Sequence, residues 1–478
     1  MTVHDCCATE APKRNGGYDL AVIGAGSAGF SAAIAAAELG AQVALIGGGT
    51  IGGTCVNVGC VPSKTMIRAA EAVHHAETAS RYAGIRAAGG ITDWRAVVRQ
   101  KDELVSSLRQ AKYIDLLPSY NTIAYREGQA RLTDDGVTVN GDAIKAGKVI
   151  IATGAASALP SIPGIENVPY LTSTTALELE QLPKSLLVIG GGYIGCELGQ
   201  MFARAGVNVT IAVRRRLLPD AEPEISDALT RYFAEEGITV RGGLACRDIR
   251  RVPEGIALTV SADGCTETMV AEQVLLATGR QPNTEGFGLA EAGVELLPNG
   301  GIKVDDRMRT SKLGVYAAGD VTGRDQFVYM AAYGARIAAE NALNGNSKRY
   351  DASAMPAVVF TDPQVASVGL TEASARGQGL KVKTSILKLS YVPRALAARD
   401  TRGLIKLVAE VGSGKLLGAH IIAPEGADSI QTAALAIKCG LTVEQLAETI
   451  FPYLTTVEGL KLAAQTFTKD VTKLSCCA

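Results

Sequence analysis

The sequence has few aromatic residues, no excess of either charge and no long hydrophobic run. Aromatic residues make up 5% of the 478 residues, and 47 basic against 48 acidic residues give a formal net charge of −1. A chain with this balance offers no broad basic surface for a polyanion, so we expect no nucleic-acid partner. The 47% hydrophobic content excludes a wholly disordered chain.

Membrane insertion and export are also not expected. No stretch reaches the roughly 18 consecutive apolar residues of a membrane-spanning helix. Residues 1–17 lack the apolar segment of a secretory signal, and we interpret them as a flexible N-terminal tail. The expected location is the cytoplasm.

Cysteine is too scarce for a disulfide framework, since there are ten in the chain. Three pairs nevertheless lie close in sequence: Cys6/Cys7, Cys55/Cys60 and Cys476/Cys477. In a reducing compartment such pairs indicate redox or soft-metal chemistry. The isolated cysteines are expected to be small buried hydrophobic residues, and they are Cys196, Cys246, Cys265 and Cys439.

Two segments, residues 18–46 and 185–213, repeat the pattern of a strand, a glycine turn, a helix and a strand. The glycines are Gly24, Gly26 and Gly29 in the first segment and Gly190, Gly192 and Gly195 in the second. One glycine permits the tight turn, one lets the backbone approach a pyrophosphate, and one lets helix and strand pack closely. A lone motif of this kind can be a structural turn, but two in the right context predict two dinucleotide-binding folds.

The domain organisation follows from the strands and glycine turns further along. Strand-and-turn segments at residues 150–155, 275–283 and 314–323 indicate returns into the nucleotide folds, and no nucleotide motif follows Arg349. The predicted fold class is α/β, with two Rossmann-like domains and a C-terminal α+β domain. We place the first domain at residues 18–152 and 283–348, the second at 153–282, and the third at 349–478.

Cys55 and Cys60 lie just beyond the second strand of the first fold, in IGGTCVNVGCVPSK. A thiolate is the reactive form of cysteine, and a nearby cation such as Lys64 favours it. The alternative is a stabilising disulfide, which the adjoining glycine-rich loop and nucleotide fold make less attractive.

Together these motifs resemble the pyridine nucleotide–disulfide oxidoreductases, from about Tyr18 to the end of the chain. The resemblance implies that the first fold binds FAD, that the second binds the nicotinamide nucleotide, and that electrons pass through the flavin to the cysteine pair. It implies that Cys60 contacts the flavin and that Cys55 meets the substrate. Further flavin contacts are implied at Gly49, Thr54, Ala130, Asp320 and Val328.

The resemblance also assigns roles to three residues around the flavin. Lys64 would lie near the flavin and pair with Glu197 of the second fold. Tyr193 would cover the flavin until the nicotinamide displaces it.

One position departs from the family. An acidic residue usually ends the second strand of the first fold and holds the adenosine ribose, but here Gly47 stands there. The contact is therefore lost, replaced by water or taken over by another group. We expect weaker FAD retention, because one such hydrogen bond contributes about 0.5–3 kcal/mol.

The equivalent position of the second fold indicates the choice of nucleotide. Val213 is followed by Arg214, Arg215 and Arg216, and arginines favour the extra phosphate of NADPH. The alternative is an exposed basic turn with no ligand.

The C-terminal segment points to an unusual substrate. Members of the family that reduce organic disulfides carry a His-Pro motif, whereas Phe451 precedes Pro452 here and Glu458 follows. An apolar ring cannot relay the proton that a departing organic thiolate needs. Reduction of glutathione or lipoamide is therefore expected to be very poor.

A thiolate-bound soft cation needs no such proton relay, and Hg(II) is among the softest. Phe451, the segment VEGLKLAAQTF and the terminal Cys476 and Cys477 resemble the mercuric reductase branch of the family. That resemblance implies a homodimer in which the tail of one subunit carries Hg(II), arriving as a thiol complex, to Cys55 and Cys60 of the other. It also places Tyr453 beside the metal.

The predicted activity is NADPH-dependent reduction of Hg(II) to Hg(0). Two alternatives remain open: a disulfide or dithiol reductase of the same family, and a protein that sequesters soft metal without redox turnover.

Overall fold

The computed structural model describes residues 17–134, 136–262 and 264–473. Cys6, Cys7, Cys476 and Cys477 lie outside the described residues. The strands are β1 (Tyr18–Ile23), β2 (Val43–Gly47), β3 (Ile123–Glu127), β4 (Ala130–Thr133), β5 (Gly136–Val139), β6 (Asp142–Ile151), β7 (Ala155–Ser157), β8 (Ser185–Ile189), β9 (Asn208–Ala212), β10 (Thr239–Arg241), β11 (Ala245–Val252), β12 (Gly255–Ala262), β13 (Cys265–Ala271), β14 (Gln273–Leu276), β15 (Arg280–Pro282), β16 (Val315–Ala317), β17 (Pro356–Val359), β18 (Gln364–Gly369), β19 (Val382–Lys388), β20 (Leu404–Glu410) and β21 (Leu416–Ala423).

The α-helices are α1 (Ser27–Glu38), α2 (Gly53–Asn57), α3 (Cys60–Glu77), α4 (Trp94–Arg109), α5 (Ser173–Ala176), α6 (Tyr193–Arg204), α7 (Pro223–Glu235), α8 (Val328–Asn344), α9 (Glu372–Gly377), α10 (Pro393–Ala397), α11 (Gly426–Lys438), α12 (Val443–Glu448) and α13 (Glu458–Gln465). Within the described ranges, no helix is both long and apolar enough to cross a membrane.

The first of two compact units comprises Met1–Ser63, Arg99–Ala158 and Arg280–Asp351. Its main sheet has the order β3-β2-β1-β6-β5-β4, with β16 also paired to β6. Strands β1, β2, β3 and β6 pair in parallel, and the apolar run of β1 is buried from Leu20 to Ile23. The alanine-rich α1 and α8 share a buried cluster on one face, because small side chains let two helices approach each other closely.

The second unit comprises Lys64–Val98, Leu159–Gly279 and Ala352–Ala478. Its nucleotide fold has a parallel sheet in the order β10-β9-β8-β14, and Phe202 and Phe233 are fully buried beside it. A separate antiparallel sheet, β11-β12-β13, follows in the chain.

The C-terminal part of the second unit is built on the antiparallel sheet β17-β18-β21-β20-β19. Residues of α11 and α13 complete its core, as Ala433 and Leu460 illustrate. Several large apolar side chains remain exposed here, with Ile450 at 94%, Leu435 at 58% and Leu396 at 55%. The predicted fold class, two Rossmann-like folds and a C-terminal α+β region, is confirmed.

A buried cluster of ion pairs ties segments of the second unit together. Arg402 Nη2 lies 3.1 Å from Asp362 Oδ1 and 2.7 Å from Asp400 Oδ2, and Arg204 Nη2 lies 3.0 Å from Asp362 Oδ2. Burial raises the pKa of Asp362 and of Asp400, but the guanidinium groups outweigh it and hold both pKa values below their ordinary level. Both carboxylates are therefore charged at neutral pH.

The expectation that all four isolated cysteines are buried is wrong for three of them. Cys196 is buried, and burial raises the pKa of its thiol. Cys246 is half-buried, and Cys265 and Cys439 are exposed. Cys265 begins β13, which lies at the edge of its three-stranded sheet, and Cys439 caps the end of α11.

Candidate active site

The first glycine turn connects β1 to α1 with almost no space beside it. A β-carbon on Gly24 would lie 2.2 Å from the Ala152 carbonyl oxygen, and one on Gly29 would lie 1.7 Å from that of Gly24. Gly26 caps α1 without any side-chain hydrogen bond, so the amide groups of the first helical turn point outward without a capping side chain. This is the arrangement that accepts a pyrophosphate at a helix N-terminus.

The second glycine turn repeats the same geometry between β8 and α6. A β-carbon on Gly190 would lie 2.3 Å from the Ala277 carbonyl oxygen, and one on Gly195 would lie 2.0 Å from that of Gly190. Gly192 caps α6 without a side-chain hydrogen bond, and no atom of the described residues lies within 4 Å of where its β-carbon would be. The residues present therefore fit a dinucleotide at each turn.

The segment with the two cysteines is anchored to the first glycine turn. The Gly52 amide donates a hydrogen bond of 2.9 Å to the Ala25 carbonyl oxygen. A β-carbon on Gly53 would lie 2.6 Å from the Gly26 α-carbon, so only glycine allows the two backbones to come this close. The position predicted for the cysteine pair, beside the first nucleotide fold, is observed.

Cys55 lies within α2, and Cys60 is the first residue of α3. Both side chains are half-buried. The N-terminus of an α-helix carries partial positive charge, which stabilises a negatively charged sulfur at Cys60.

Asn57 braces the loop between the cysteines. Its Nδ2 donates to the carbonyl oxygens of Ile51 at 2.9 Å and Gly53 at 2.8 Å, while its Oδ1 accepts from Arg109 Nη1 at 3.1 Å. Asn57 thereby connects the first turn of α2 and the residues before it to Arg109, the last residue of α4.

Tyr113 is a neighbour of the cysteines that the sequence did not predict. Burial raises the pKa of its hydroxyl, a hydrogen bond with Ser27 lowers it, and negative charge on Cys55 and Cys60 raises it. Its ring stacks edge-on against Phe30 with centroids 4.8 Å apart. The hydroxyl thus stays protonated near the sulfurs, and no motif around residue 113 indicates this.

In the second unit, Lys64 Nζ lies 2.6 Å from Glu197 Oε2, as the family resemblance implied. The other oxygen of Glu197 accepts the Phe360 backbone amide at 2.9 Å, and Lys64 also lies 4.9 Å from the centre of the Phe360 ring. The Glu197 side chain is 7% exposed and that of Lys64 is 34% exposed. Glu197 is therefore a fixed acceptor that orients a partly accessible ammonium group.

Tyr193 is the first residue of α6, directly after the second glycine turn, and is 37% exposed. Burial raises the pKa of its hydroxyl, and the charges of Asp220 and Glu197 raise it further.

The three arginines after β9 differ in their surroundings. Arg214 and Arg215 are exposed, whereas Arg216 is half-buried. Arg216 Nη2 donates to the carbonyl oxygens of Ala221 at 2.8 Å and Pro219 at 3.3 Å, so it holds the loop together. Arg214 and Arg215 remain accessible to a ligand anion.

The other predicted flavin contacts lie in the first unit. Asp320 follows β16, and Arg280 Nε lies 3.6 Å from its carboxylate. Burial raises the pKa of Asp320, and Arg280 lowers it in part. Ala130 begins β4 and is buried, Val328 begins α8 and is half-buried, and Gly49 and Thr54 are exposed.

Residues 451–458 form a turn and the start of α13 in the second unit. Phe451 packs against the C-terminal core, and Tyr453 is 49% exposed. Burial raises the pKa of Glu458, and its Oε2 accepts no hydrogen bond from any residue that the structure describes. The predicted metal-delivering pair, Cys476 and Cys477, lies beyond residue 473, outside the described residues.

Comparison with known proteins agrees with this arrangement. Residues 18–339 match the family model for pyridine nucleotide-disulphide oxidoreductases, and residues 355–464 match that family's dimerisation domain. A mercuric reductase of Streptomyces lividans is 49% identical over 471 residues, which cover 97% of this chain and 98% of the relative. One of Lysinibacillus sphaericus is 49% identical over 463 residues, covering 96% and 84% respectively.

Solved structures of similar proteins share the fold. An HOCl-induced flavoprotein disulfide reductase from Escherichia coli has a TM-score of 0.82 and 30% sequence identity, with 95% of this chain and 100% of that chain covered.

Proposed function

Since the chain belongs to the pyridine nucleotide-disulphide oxidoreductase family, we propose that it reduces Hg(II) to Hg(0) with electrons from NADPH, using Cys55 and Cys60 as the metal-binding dithiol. FAD is the resident cofactor, and it supplies a two-electron carrier between NADPH and the substrate. Gly24, Gly26 and Gly29 hold it in the first fold.

The observation that carries the proposal is Phe451. It packs its ring against the C-terminal core at the position where organic-disulfide reductases of the family have an acid–base histidine. A phenyl ring neither donates nor accepts a proton, so the departing thiolate of an organic disulfide would leave unprotonated. Thiolate-bound Hg(II) accepts electrons without this proton transfer at the metal.

The reaction balances without a further co-reactant. A bis-thiolate complex of Hg(II), one NADPH and one proton give Hg(0), NADP⁺ and two thiols. The Hg–S bonds break, the metal gains two electrons, and each released thiolate takes one proton. Neutral mercury has little affinity for thiolate and leaves the site.

The residues of the first unit bind and orient the metal. Cys60 at the start of α3 and Cys55 in α2 supply two sulfurs, which Hg(II) prefers to oxygen or nitrogen ligands. The helix N-terminus stabilises the sulfur as an anion before the metal arrives. Asn57 and Arg109 hold the intervening loop, and the Tyr113 hydroxyl keeps a proton near the sulfurs.

The residues of the second unit select and position the electron donor. Gly190, Gly192 and Gly195 receive the NADPH pyrophosphate, and Arg214 and Arg215 bind its additional phosphate through charge-assisted hydrogen bonds. Glu197 fixes the ammonium group of Lys64, and Tyr193 lies at the start of the same helix. We assign Tyr193 the role of a cover that the nicotinamide displaces.

The chain carries the dimerisation domain of its family, which indicates a homodimer. The exposed Ile450, Leu435 and Leu396 of that domain support an apolar interface. We further propose that Hg(II) arrives as a thiol complex, that Cys476 and Cys477 of one subunit deliver it to the cysteine pair of the other, and that Tyr453 lies beside it.

The activity is tested by following NADPH oxidation by the purified full-length protein, with and without Hg(II) in excess thiol. We expect Hg(II) to accelerate NADPH oxidation and elemental mercury vapour to form. Cys55→Ala and Cys60→Ala should abolish the acceleration, whereas Cys265→Ala, which removes an exposed cysteine of β13, should not change it.

The same assay separates the alternatives. Turnover of oxidised glutathione or lipoamide as fast as that of Hg(II) would favour a disulfide reductase. Binding of Hg(II) without NADPH consumption would favour sequestration. Delivery between subunits is tested with a mixed dimer of one Cys55→Ala subunit and one subunit lacking Cys476 and Cys477. The intact tail of the first subunit should serve the intact cysteine pair of the second, so the dimer should retain about one functional site. An inactive mixed dimer would contradict delivery between subunits.

A further inference from the structure

The missing ribose-binding acid of the first fold has a structural counterpart on the neighbouring strand. In nucleotide folds of this type an acidic side chain about 20 residues beyond the first glycines binds the adenosine 2′-hydroxyl. Here β2 ends at Gly47, which supplies no side chain. The side chain that occupies the space beside Gly47 is therefore the candidate for contact with the ribose.

Tyr125 occupies that space. Strand β3 runs parallel to β2, with Tyr125 paired to Leu45, two residues before Gly47. A β-carbon on Gly47 would lie 2.6 Å from the Tyr125 hydroxyl oxygen and 3.1 Å from Tyr125 Cε2. The hydroxyl thus lies where an acidic side chain on residue 47 would begin.

The ring of Tyr125 is packed, and its hydroxyl can still donate and accept a hydrogen bond. Its ring is half-buried and packs against the core of the first unit. In the part of the chain that the structure describes, the hydroxyl makes no hydrogen bond. A half-buried hydroxyl without a protein partner is a group that a ligand can satisfy.

The charge state also suits a ribose. Burial raises the pKa of Tyr125, and the nearby carboxylate of Glu127 raises it further. The hydroxyl therefore stays neutral in the physiological range and can both donate and accept a hydrogen bond.

We propose that the Tyr125 hydroxyl takes the place of the missing carboxylate and binds the adenosine 2′-hydroxyl of FAD. The inference deepens the proposed function, because it rests on FAD as the ligand of the first fold. It assigns the contact to a strand that does not carry the acid in the usual arrangement.

Glu127 is the neighbouring group that competes for this assignment. It pairs directly with Gly47 in the strand register, but its side chain is exposed, and no Glu127 atom is among the three nearest to a β-carbon on Gly47. The atoms closest to that position belong to Tyr125 and to the Ala25 β-carbon, at 2.9 Å. Tyr125 is therefore the better-placed partner.

The test measures FAD binding to the flavin-free full-length protein by quenching of flavin fluorescence. Tyr125→Phe removes only the hydroxyl and keeps the ring. Its dissociation constant for FAD should rise about two- to tenfold, the range that one neutral hydrogen bond supplies. Glu127→Gln and Tyr316→Phe should bind FAD as the wild type does. Tyr316 is the matched control, since its hydroxyl bonds to Asn341 O and Asn346 Oδ1 within the same unit.

A ligand change identifies the atom that is contacted. With an FAD analogue that lacks the adenosine 2′-hydroxyl, wild type and Tyr125→Phe should have equal affinities. A loss that persists with the analogue, or a weakening by Glu127→Gln alone, would overturn the assignment.

Restoring the acid supplies a second, independent test. Gly47→Glu alone places its β-carbon against the Tyr125 hydroxyl, so it should bind FAD no better than the wild type. Gly47→Glu combined with Tyr125→Val removes the two contacts with Tyr125, leaves the Ala25 β-carbon at 2.9 Å, and should bind FAD more tightly than Gly47→Glu alone. If the single variant binds as tightly as the double variant, Tyr125 does not occupy the ribose position. If the wild-type protein itself binds no FAD, the proposed function fails instead.

Discussion

Replacing Gly53 by alanine tests whether the cysteine segment depends on its contact with the first glycine turn. Gly53 has a φ of +65°, and an alanine in this left-handed region costs about 1–2 kcal/mol. The added β-carbon would also lie 2.6 Å from the Gly26 α-carbon. Because both groups belong to backbone, relief requires one chain segment to move, which costs about 1–3 kcal/mol. We therefore expect a total loss of about 2–5 kcal/mol in the free energy of unfolding.

Gly141→Ala is the matched control for this prediction. Gly141 has a φ of +97°, but no atom of the described residues lies within 4 Å of where its β-carbon would be. It should therefore lose only the conformational part, about 1–2 kcal/mol. Alanine also lowers the conformational entropy of the unfolded chain relative to glycine, which increases the free energy of unfolding. This increase is common to both variants and cancels when they are compared.

The assay compares urea unfolding of the two variants by circular dichroism and then the rate of Hg(II)-dependent NADPH oxidation. Gly53→Ala should be the less stable variant and should lose most of its turnover, because the two cysteines are displaced from the nucleotide turn. Gly141→Ala should keep the wild-type rate. If the two variants are equally stable and equally active, the close approach of Gly53 to Gly26 does not position the cysteines.

Two further predictions concern the second unit. Arg214→Ala combined with Arg215→Ala should raise the KM for NADPH about tenfold or more and leave the KM for NADH unchanged, because charge-assisted hydrogen bonds to the extra phosphate are lost. Arg216→Ala, the control, should lower stability without changing the preference for NADPH over NADH. Equal effects of the double variant on the two KM values would contradict the assignment. Asp362 and Asp400 have pKa values lowered in the folded protein, so their contribution to stability is present above their unfolded pKa of about 3.9 and is lost as the pH falls through the folded values. Asp362→Asn should therefore be less stable than the wild type at neutral pH. In urea titrations it should also lose less stability than the wild type when the pH falls from about 5 to about 2. If both proteins lose the same amount, Asp362 does not contribute to the acid dependence of stability.

The features that sequence predicts well are those carried by neighbouring residues. Gly24, Gly26 and Gly29 lie within six positions of one another, and their steric requirement is the same in every chain that makes this turn. The cysteine pair follows for the same reason, since Cys55 lies in a glycine-rich segment directly after β2. Local spacing therefore predicts both nucleotide folds and the location of the cysteine pair.

The groups that sequence does not predict come from distant segments. Tyr113 reaches the cysteines from beyond α4, and Tyr125 reaches Gly47 only because β3 pairs with β2. Neither tyrosine belongs to a motif, and strand pairing between segments about 80 residues apart is not encoded in local periodicity. The exposure of Cys265 is missed for a related reason, because it depends on β13 lying at a sheet edge.

The turn at residues 451–458 carries both Phe451 and the buried side chain of Glu458. Glu458 is 7% exposed, burial raises the pKa of its carboxyl group, and a hydrogen bond from the Leu454 backbone and the charge of Lys461 lower it in part. Leu454 has a φ of +61°, which is unfavourable for leucine and needs such support. With Phe451 in place of a histidine, this carboxyl group has no imidazole to orient, and its hydrogen bond with the Leu454 backbone instead stabilises the turn that carries Tyr453. Residue 458 thus offers a buried carboxyl group, whereas residue 451 offers no group that takes part in proton transfer, which is the combination expected of a site whose substrate accepts electrons at a metal rather than protons at a leaving sulfur.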